Sequence, residues 1–460
     1  MKNCSLGLFI GESFAELSLL DTKTKEKLDF QRWYLPRANL KSFLSKYISE
    51  KSITQLDRVF VAHRFLEKLF SYRLGGSVAQ IVTSGFEKAL PLEETSISDS
   101  YIWPLRPPAL SSSELVFSLH EKVDGDGQVI KPVDLAALEA ISSKLKMMEV
   151  KRVCLHLHGS CLNPLNSNIA KEYLETNGFD VYLPPRTEPH LEFQAWRKNL
   201  IEAAITGTFL EIQEDLSQSL SSVVGADKIY FLGADLKWFQ NEKHERLGSL
   251  VALENLWMSL FPKILKANEK VDIFHFGLEN FSLIKSEESH WELAWGLLPV
   301  KSHKRKDFRV QPTQSLKISE GNELTFDRRE LSFEPGPISM GRGVVPCVYD
   351  ILYFTESAAP EAQEKIKRSL QALLKSTGKS SSPVQSAKLL KENILDQLAF
   401  EIEFSKSPSA NETIIYGVGA DLLQDDLKKH SYFSKMKKIS EKDWAKSYLI
   451  GHWGLRTDHE

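Results

Sequence analysis

The sequence predicts an α/β protein of two or three domains, on three observations. Strand-like and helix-like stretches alternate along most of the chain, as layered α/β architectures require. A strand-turn-strand element lies in each half, Leu6 to Asp21 and Val271 to Ile284, which suggests an internal duplication. The length of 460 residues exceeds what one core usually holds, at roughly 150 residues per domain.

In chain order, LGLFIG and AELSLLD read as a hairpin around Gly11-Glu12-Ser13, and LKSFLSKYISEK repeats its apolar residues at helical spacing. RVFVAH is a short buried strand, FLEKLFSYRL a helix, VAQIVT another strand, and the proline-rich IWPLRPPA an extended connection. Asp124-Gly125-Asp126-Gly127 signals a hairpin turn. LAALEAISSKLK is then a helix and KRVCLHLHGS a strand. The prolines of DVYLPPRTEP mark a boundary, dividing residues 1–188 from 189–460. The helix that follows aligns Phe193, Trp196, Leu200, Ile201 and Ala204 on one face. The second half repeats the rhythm with DKIYFLGA, LVALENLWMSLFPKIL, VDIFHFGL and ETIIYGVGA, and KSTGKSSSPV joins two amphipathic helices.

Composition narrows the function classes. With 42% hydrophobic and 26% charged residues the chain is an ordinary globular protein, and a net charge of -3 gives no support to nucleic acid or an anionic membrane as partner. No stretch reaches the roughly 20 apolar residues of a membrane span, and the start lacks a signal-peptide pattern, so the expected location is the cytoplasm. Four cysteines in such a chain read as reduced thiols.

Four constellations carry candidate chemistry. Cys154, His156 and His158 share one face of a strand and Cys161 follows, residue types that suit zinc. Alternate residues on a strand stand about 6 to 7 Å apart, so a tetrahedral site needs a loop or second segment, and zinc is the weaker reading. KSHKRKDFR, with Phe308 as its one aromatic, reads as a solvated loop or strand edge. Gly417 and Gly419, after the strand ETIIY, bring backbone amides to a phosphate or make a tight turn. Glu334 to Pro337, with Gly336, and Gly341-Arg342-Gly343 form a shaped loop in which an arginine suits an anion or a structural carboxylate.

Taken in order, several segments resemble the hydantoinase A/oxoprolinase family, ATP-dependent enzymes that open cyclic amides. VAHRFLEKLFSYRLGGSVAQIVTSGFEKAL keeps His63, Thr83, Gly85 and Phe86 of that family's His-Gly-Thr-Thr and Thr-x-Gly-Phe segments. HEKVDGDGQVIKPVD is similar to its Arg-Val-Asp-x-x-Gly hairpin, VCLHLHGSCLNPLN to the strand ending near Asn-Pro-x-His-Glu, and EFQAWRKN to Glu-Tyr-x-Arg. PGPISMGRGVVPCVYD resembles Pro-Gly-Pro-x-x-Tyr-Gly-x-Gly-Gly, and IIYGVGA the late Phe-Gly-Gly-Ala-Gly turn. The resemblance runs from about residue 6 to about residue 455. It implies an actin-like, sugar-kinase-like (ribonuclease-H-like) fold, in which two lobes hold ATP and Mg2+ between hairpins reading Asp-x-Gly-Gly-Thr. A hydantoinase B-like second subunit is also implied.

The departures fall on those hairpins. Phe9 stands at the first aspartate position, Gly11 remains, and Glu12, Ser13 and Glu16 replace the second glycine, the threonine and the second aspartate. In the second hairpin His275 takes the aspartate place, Gly277 remains, and Leu278 and Glu279 replace Gly-Thr. Arg64, Phe65 and Leu66 replace the Gly-Thr-Thr after His63. A carboxylate about 4 Å from a phosphate charge costs roughly 4 kcal/mol at an effective dielectric of 20. The leading expectation is therefore a family scaffold with eroded phosphate motifs, acting as a binding or regulatory module. The alternative is an active hydrolase of a small cyclic amide, in which Ser13, Glu16, Asp235, Glu279 and Arg342 contact phosphate and metal while Gly11, Gly277, Gly336, Gly417 and Gly419 admit the phosphates. A third reading is a zinc protein using Cys154, His156, His158 and Cys161.

Overall fold

The computed structural model describes residues 3–11, 14–34, 40–64, 77–90, 112–240, 252–267, 270–293, 296–326, 337–340, 343–354, 360–378 and 382–457. The helix expected over FLEKLFSYRL and the connection IWPLRPPA lie outside these residues.

The chain opens with an antiparallel meander: β1 (Cys4–Ile10), β2 (Phe14–Asp21) and β3 (Lys27–Tyr34). Residue Ile10 opposes Ala15, and Gly11 N–H donates to Phe14 O at 2.8 Å, which closes the first turn tightly. Helix α1 (Leu40–Glu50) buries Leu40, Leu44 and Tyr47, and β4 (Val59–His63) returns parallel to β1. Next come β5 (Val78–Thr83), β6 (Val116–Leu119), and β7 (Lys122–Val123) with β8 (Val129–Lys131) around the expected turn, where Asp124 accepts from the N–H groups of Asp126 and Gln128. Helix α2 (Leu135–Met147), capped by Asp134, then β9 (Arg152–His156), α3 (Leu165–Thr176) and β10 (Asp180–Tyr182) complete a parallel sheet of order β10-β9-β5-β6.

Helix α4 (Glu192–Leu220) leads to β11 (Ile229–Leu232) and β12 (Trp238–Phe239). Both join the first meander, giving the sheet β12-β11-β4-β1-β2-β3. The boundary expected after residue 188 is thus crossed: β11 runs parallel to β4, and Trp196, Leu200 and Ile201 of α4 share a core with Leu6, Leu8 and Val59. The prolines near residue 185 mark only an extended connection into a helix of the same lobe.

The second lobe repeats the plan. After α5 (Ala252–Leu265), β13 (Val271–Phe276), β14 (Phe281–Leu293) and β15 (Gly296–Asp307) form a second meander, followed by β16 (Leu316–Ile318) and β17 (Leu324–Phe326). Helices α6 (Val348–Leu352), α7 (Pro360–Ser376) and α8 (Pro383–Ser405) precede β18 (Glu412–Tyr416), α9 (Val418–Leu422), α10 (Gln424–Lys429), β19 (Lys437–Ile439) and α11 (Lys446–Thr457). The sheet order is β15-β14-β13-β18-β19, with β18 parallel to both β13 and β19. In each lobe three antiparallel strands are extended by parallel ones beside the first, a plan that parallels the two strand-turn-strand elements of the sequence and gives a two-lobed α/β fold. The basic run KSHKRKDFR lies largely in β15, the edge strand of its sheet, but it is not solvated throughout: Ser302 and Phe308 are buried and Arg305 turns inward.

The last helix crosses back. Helix α11 packs on β1 and β2, where Ser447 Oγ meets Ser18 Oγ at 2.8 Å and Gly451 lies against Gly7 so closely that a Cβ on Gly451 would stand 3.2 Å from the Gly7 Cα. Phe9, Phe60, Trp257, Ile273 and Tyr416 belong to one core cluster, so the two lobes share an apolar floor.

Candidate functional site

Above this floor the two hairpin turns meet. The β13–β14 turn, residues 277–280, presents Glu279 to the β1–β2 turn, and Phe14 N–H donates to Glu279 Oε1 at 2.9 Å. Its second oxygen lies against Gly11: a Cβ there would stand 2.7 Å from Glu279 Oε2 and 2.8 Å from Phe14 O. Glycine at residue 11 is therefore required by the close approach of the Phe14 backbone oxygen, and it also leaves room for a carboxylate from the opposite lobe. A backbone N–H at a glycine turn is the kind of donor that holds an anion, and here the anion is the protein's own side chain.

Around this contact the charges are buried and paired across elements. Arg64, just after β4, is buried, with Nη2 2.7 Å from Glu254 Oε1 on α5 and Nη1 3.5 Å from Asn280 Oδ1. Arg305 of β15 reaches the same Glu254 oxygen at 3.7 Å. One carboxylate on the helix between the lobes thus receives a guanidinium from each lobe, which ties them together. His275, in the aspartate place, is buried against Trp257 with ring centroids 4.8 Å apart. Burial, then the positive charges of Lys446, Arg64 and Arg305, hold its pKa well below the usual imidazole value, so it is neutral.

Glu16 belongs to a second network. Its carboxylate accepts from Arg32 Nε at 2.9 Å and Nη2 at 2.8 Å and from Lys446 N–H at 3.1 Å, while Arg32 Nη2 also reaches Glu441 at 3.1 Å and Lys446 Nζ stands 3.4 Å from Glu441. Burial acts to raise the Glu16 pKa, but Arg32 and Lys446 outweigh it and leave it below the usual carboxylate value. At Glu441 burial prevails over the same two cations, aided by the like charge of Glu16, and its pKa is raised. The Lys446 ammonium also sits 5.0 Å from the centroid of the Phe9 ring, so the aromatic in the first aspartate position serves a cation–π contact.

The remaining sequence candidates separate. Asp235 sits in the β11–β12 turn and bonds Lys237 N–H at 3.2 Å, with half of its side chain exposed; it joins neither network. Gly277 lies so close to the His275 ring that a Cβ would overlap it. Gly417 has φ +123° and a Cβ there would come 2.5 Å from Phe276 O, while one on Gly419 would overlap the Phe276 ring. Both glycines are therefore fixed by their close packing on β13. Ser13, Gly336 and Arg342, with Glu12, lie outside the described residues. Of their loop, Pro337 to Met340 and the stretch from Gly343 are described, and the buried Asp350 organises them by accepting from the N–H groups of Ile338, Ser339 and Cys347.

The four residues of the zinc reading have other partners. His156 is buried between Gln80, 3.2 Å from Nδ1, and Asn199, 3.2 Å from Nε2; it stacks on Trp196, and burial pushes its pKa down to about 3. Cys154 Sγ lies 3.8 Å from Asn199 O and burial raises its pKa. His158, partly exposed, pairs through Nδ1 with Glu192 at 2.8 Å, and the same carboxylate takes Gly159 N–H at 3.0 Å. That hydrogen bond raises the His158 pKa, and Glu192 also raises that of Cys161 after burial. Among the described residues no group of three His, Cys, Asp or Glu side chains is arranged to hold a metal ion.

Comparisons with known proteins agree with this architecture. Residues 37–178 match the family model described as the hydantoinase/oxoprolinase N-terminal region. Among solved structures the chain is similar to a nucleotide-free acetone carboxylase from work on ATP-dependent acetone carboxylation, with TM-score 0.71 and 12% identity over 98% of this chain and 70% of that one. It is similar to the ATP-dependent caprolactamase from Pseudomonas jessenii at TM-score 0.71 and 15% identity, over 97% of this chain and 70% of that one. No curated protein sequence gives a significant match. Among the described residues no helix is long and apolar enough to cross a membrane.

Proposed function

We propose, from the match of residues 37–178 to the hydantoinase/oxoprolinase N-terminal region, that the chain is a scaffold of that family in which ordinary magnesium-ATP chemistry is lost or strongly reduced and which acts as a binding or regulatory module. The observation that carries this reading is the Glu279 carboxylate on the Phe14 N–H at 2.9 Å. A phosphate seeking that donor would meet a fixed negative charge within about 4 Å, which costs roughly 4 kcal/mol at an effective dielectric of 20. The acids that would serve magnesium are committed as well, Glu16 to Arg32 and Lys446 and Glu279 to the facing hairpin. With these acids engaged, the residues present do not fit the family's nucleotide in its usual pose.

The competing reading is an ATP-dependent hydrolase of a hydantoin- or 5-oxoproline-type ring, working with a hydantoinase B-like subunit. It requires Glu279 to leave Phe14 and Glu16 to leave Arg32. Phosphate release from ATP, measured with and without hydantoin, 5-oxoproline and caprolactam, decides between the two. The scaffold reading predicts no amide-stimulated release by the purified chain; stimulated release lost in Glu16→Ala would support the hydrolase.

A further inference from the structure

At one end of the second-lobe sheet a cavity of about 550 Å3 opens between the last turn of α8, the start of β18 and the segment that enters β19. Residue 412 at the start of β18 stands opposite residue 271 at the start of β13, so the cavity and the β13–β14 turn lie at opposite ends of the sheet. Its volume falls within the range, roughly 300 to 1,000 Å3, of cavities that hold small molecules.

Five charged side chains line it, and four of them pair with one another. Glu403 meets Lys406 at 2.6 Å and also accepts from the Tyr432 hydroxyl, while Glu412 meets Lys437 at 2.8 Å. Lys435 is left over: it is exposed and enters no ion pair among the described residues. Three lysines against two glutamates give the lining a net charge of +1, and that charge sits on one ammonium group. Around it, Asn411 and Thr413 supply an amide and a hydroxyl, and Met436 and the Tyr432 ring supply apolar surface.

This lining selects a ligand by charge. A cation would face the Lys435 ammonium, and a neutral ligand would leave it uncompensated. A dianion or larger anion would press its further charge on Glu403 or Glu412, which already have their cations. A single negative charge on a body with hydrogen-bonding and apolar parts matches the whole lining.

We propose that this cavity binds a small organic monocarboxylate, with its carboxylate on Lys435 Nζ, its polar atoms on Asn411 and Thr413, and its apolar part against Met436 and Tyr432. None of these residues belongs to the interlobe networks, so the site stands whether or not the cleft takes a nucleotide.

The test titrates the full chain at low ionic strength, by calorimetry, with three probes: hippurate, which joins a carboxylate to an amide and a ring; its neutral analogue hippuramide; and citrate. One hippurate per chain should bind in the sub-millimolar range, at least tenfold more tightly than either of the others. Lys435→Met should weaken hippurate binding at least tenfold with the melting temperature unchanged. Lys429→Met, which removes another exposed lysine that does not line the cavity, should leave hippurate binding as in the wild type. No hippurate binding at millimolar concentration, equal binding of hippurate and hippuramide, or an equal loss in the two lysine variants overturns the proposal. Citrate binding more tightly than hippurate also overturns it, in favour of a basic surface without a defined site.

Discussion

Replacing Glu279 by alanine should loosen the junction between the lobes and open an anion site in one step. The substitution removes the acceptor of the Phe14 N–H, held at 2.9 Å. A hydrogen bond to a charged group contributes about 1.5 to 3 kcal/mol, and the half-buried donor is left without this partner. In a chain of 460 residues that corresponds to a fall of a few degrees in melting temperature. The same change removes a negative charge from beside the position a phosphate oxygen would take, worth roughly 4 kcal/mol at an effective dielectric of 20. Affinity for sodium tripolyphosphate should therefore rise by up to about a thousandfold. Thermal melting with and without tripolyphosphate, supported by calorimetry, reads both effects, and the anion should restore part of the lost stability. Glu279→Gln, which keeps an acceptor oxygen but loses the charge, should gain the anion affinity with a smaller loss of stability. An alanine variant that melts like the wild type and binds tripolyphosphate no better would refute the reasoning.

Four further outcomes are expected. Arg32→Met leaves Glu16 and Glu441 buried together with only Lys446 between them, and should cost about 3 to 5 kcal/mol in denaturant unfolding. Because Arg32 and Lys446 hold Glu16 below its usual 4.5, its stabilising contribution is present above pH 4.5 and is lost as the pH falls through the folded value, so the deficit of the variant should shrink in acid. His158 should titrate by NMR above 6.5 in the wild type and fall toward 6.5 in Glu192→Gln; the stability this pair supplies is full below pH 6.5 and fades as the pH rises through the folded value. Gly417→Ala, at φ +123° and with a Cβ 2.5 Å from Phe276 O, should lower stability by about 1 to 3 kcal/mol, read by melting. Elemental analysis of protein prepared without added metal should find zinc well below one equivalent, and a stoichiometric value would revive the cysteine and histidine site.

The parts of the fold that the sequence announces are those set by local pattern. LGLFIG and VDIFHFGL carry their own strand and turn signals, so both hairpins are legible. The lobe boundary is not, because Ile229–Leu232 joins a strand met some 170 residues earlier, and only tertiary packing decides that pairing. At the site, Gly11, Glu16, Gly277 and Glu279 are identified by their place in the hairpins, yet what they touch is not. Arg32, Glu254, Asn280, Arg305, Glu441 and Lys446 escape sequence reading, since the partners that join them into networks, Glu441 for Arg32, Arg64 for Glu254 and Asn280, and Glu16 for Lys446, lie far away along the chain. One signal is present: Glu254 is the lone charge in the largely apolar stretch VALENLWMSLF, where an unpaired charge would be costly to bury.

The most direct test of the central claim is calorimetric titration of the wild-type protein with magnesium-ATP and with a non-hydrolysable analogue. If Glu279 fills the phosphate position, neither nucleotide binds at millimolar concentration, and the same titration of Glu279→Ala gives measurable heat. Micromolar binding to the wild type, unchanged in the variant, would mean that the cleft holds phosphate through other residues and would contradict the account.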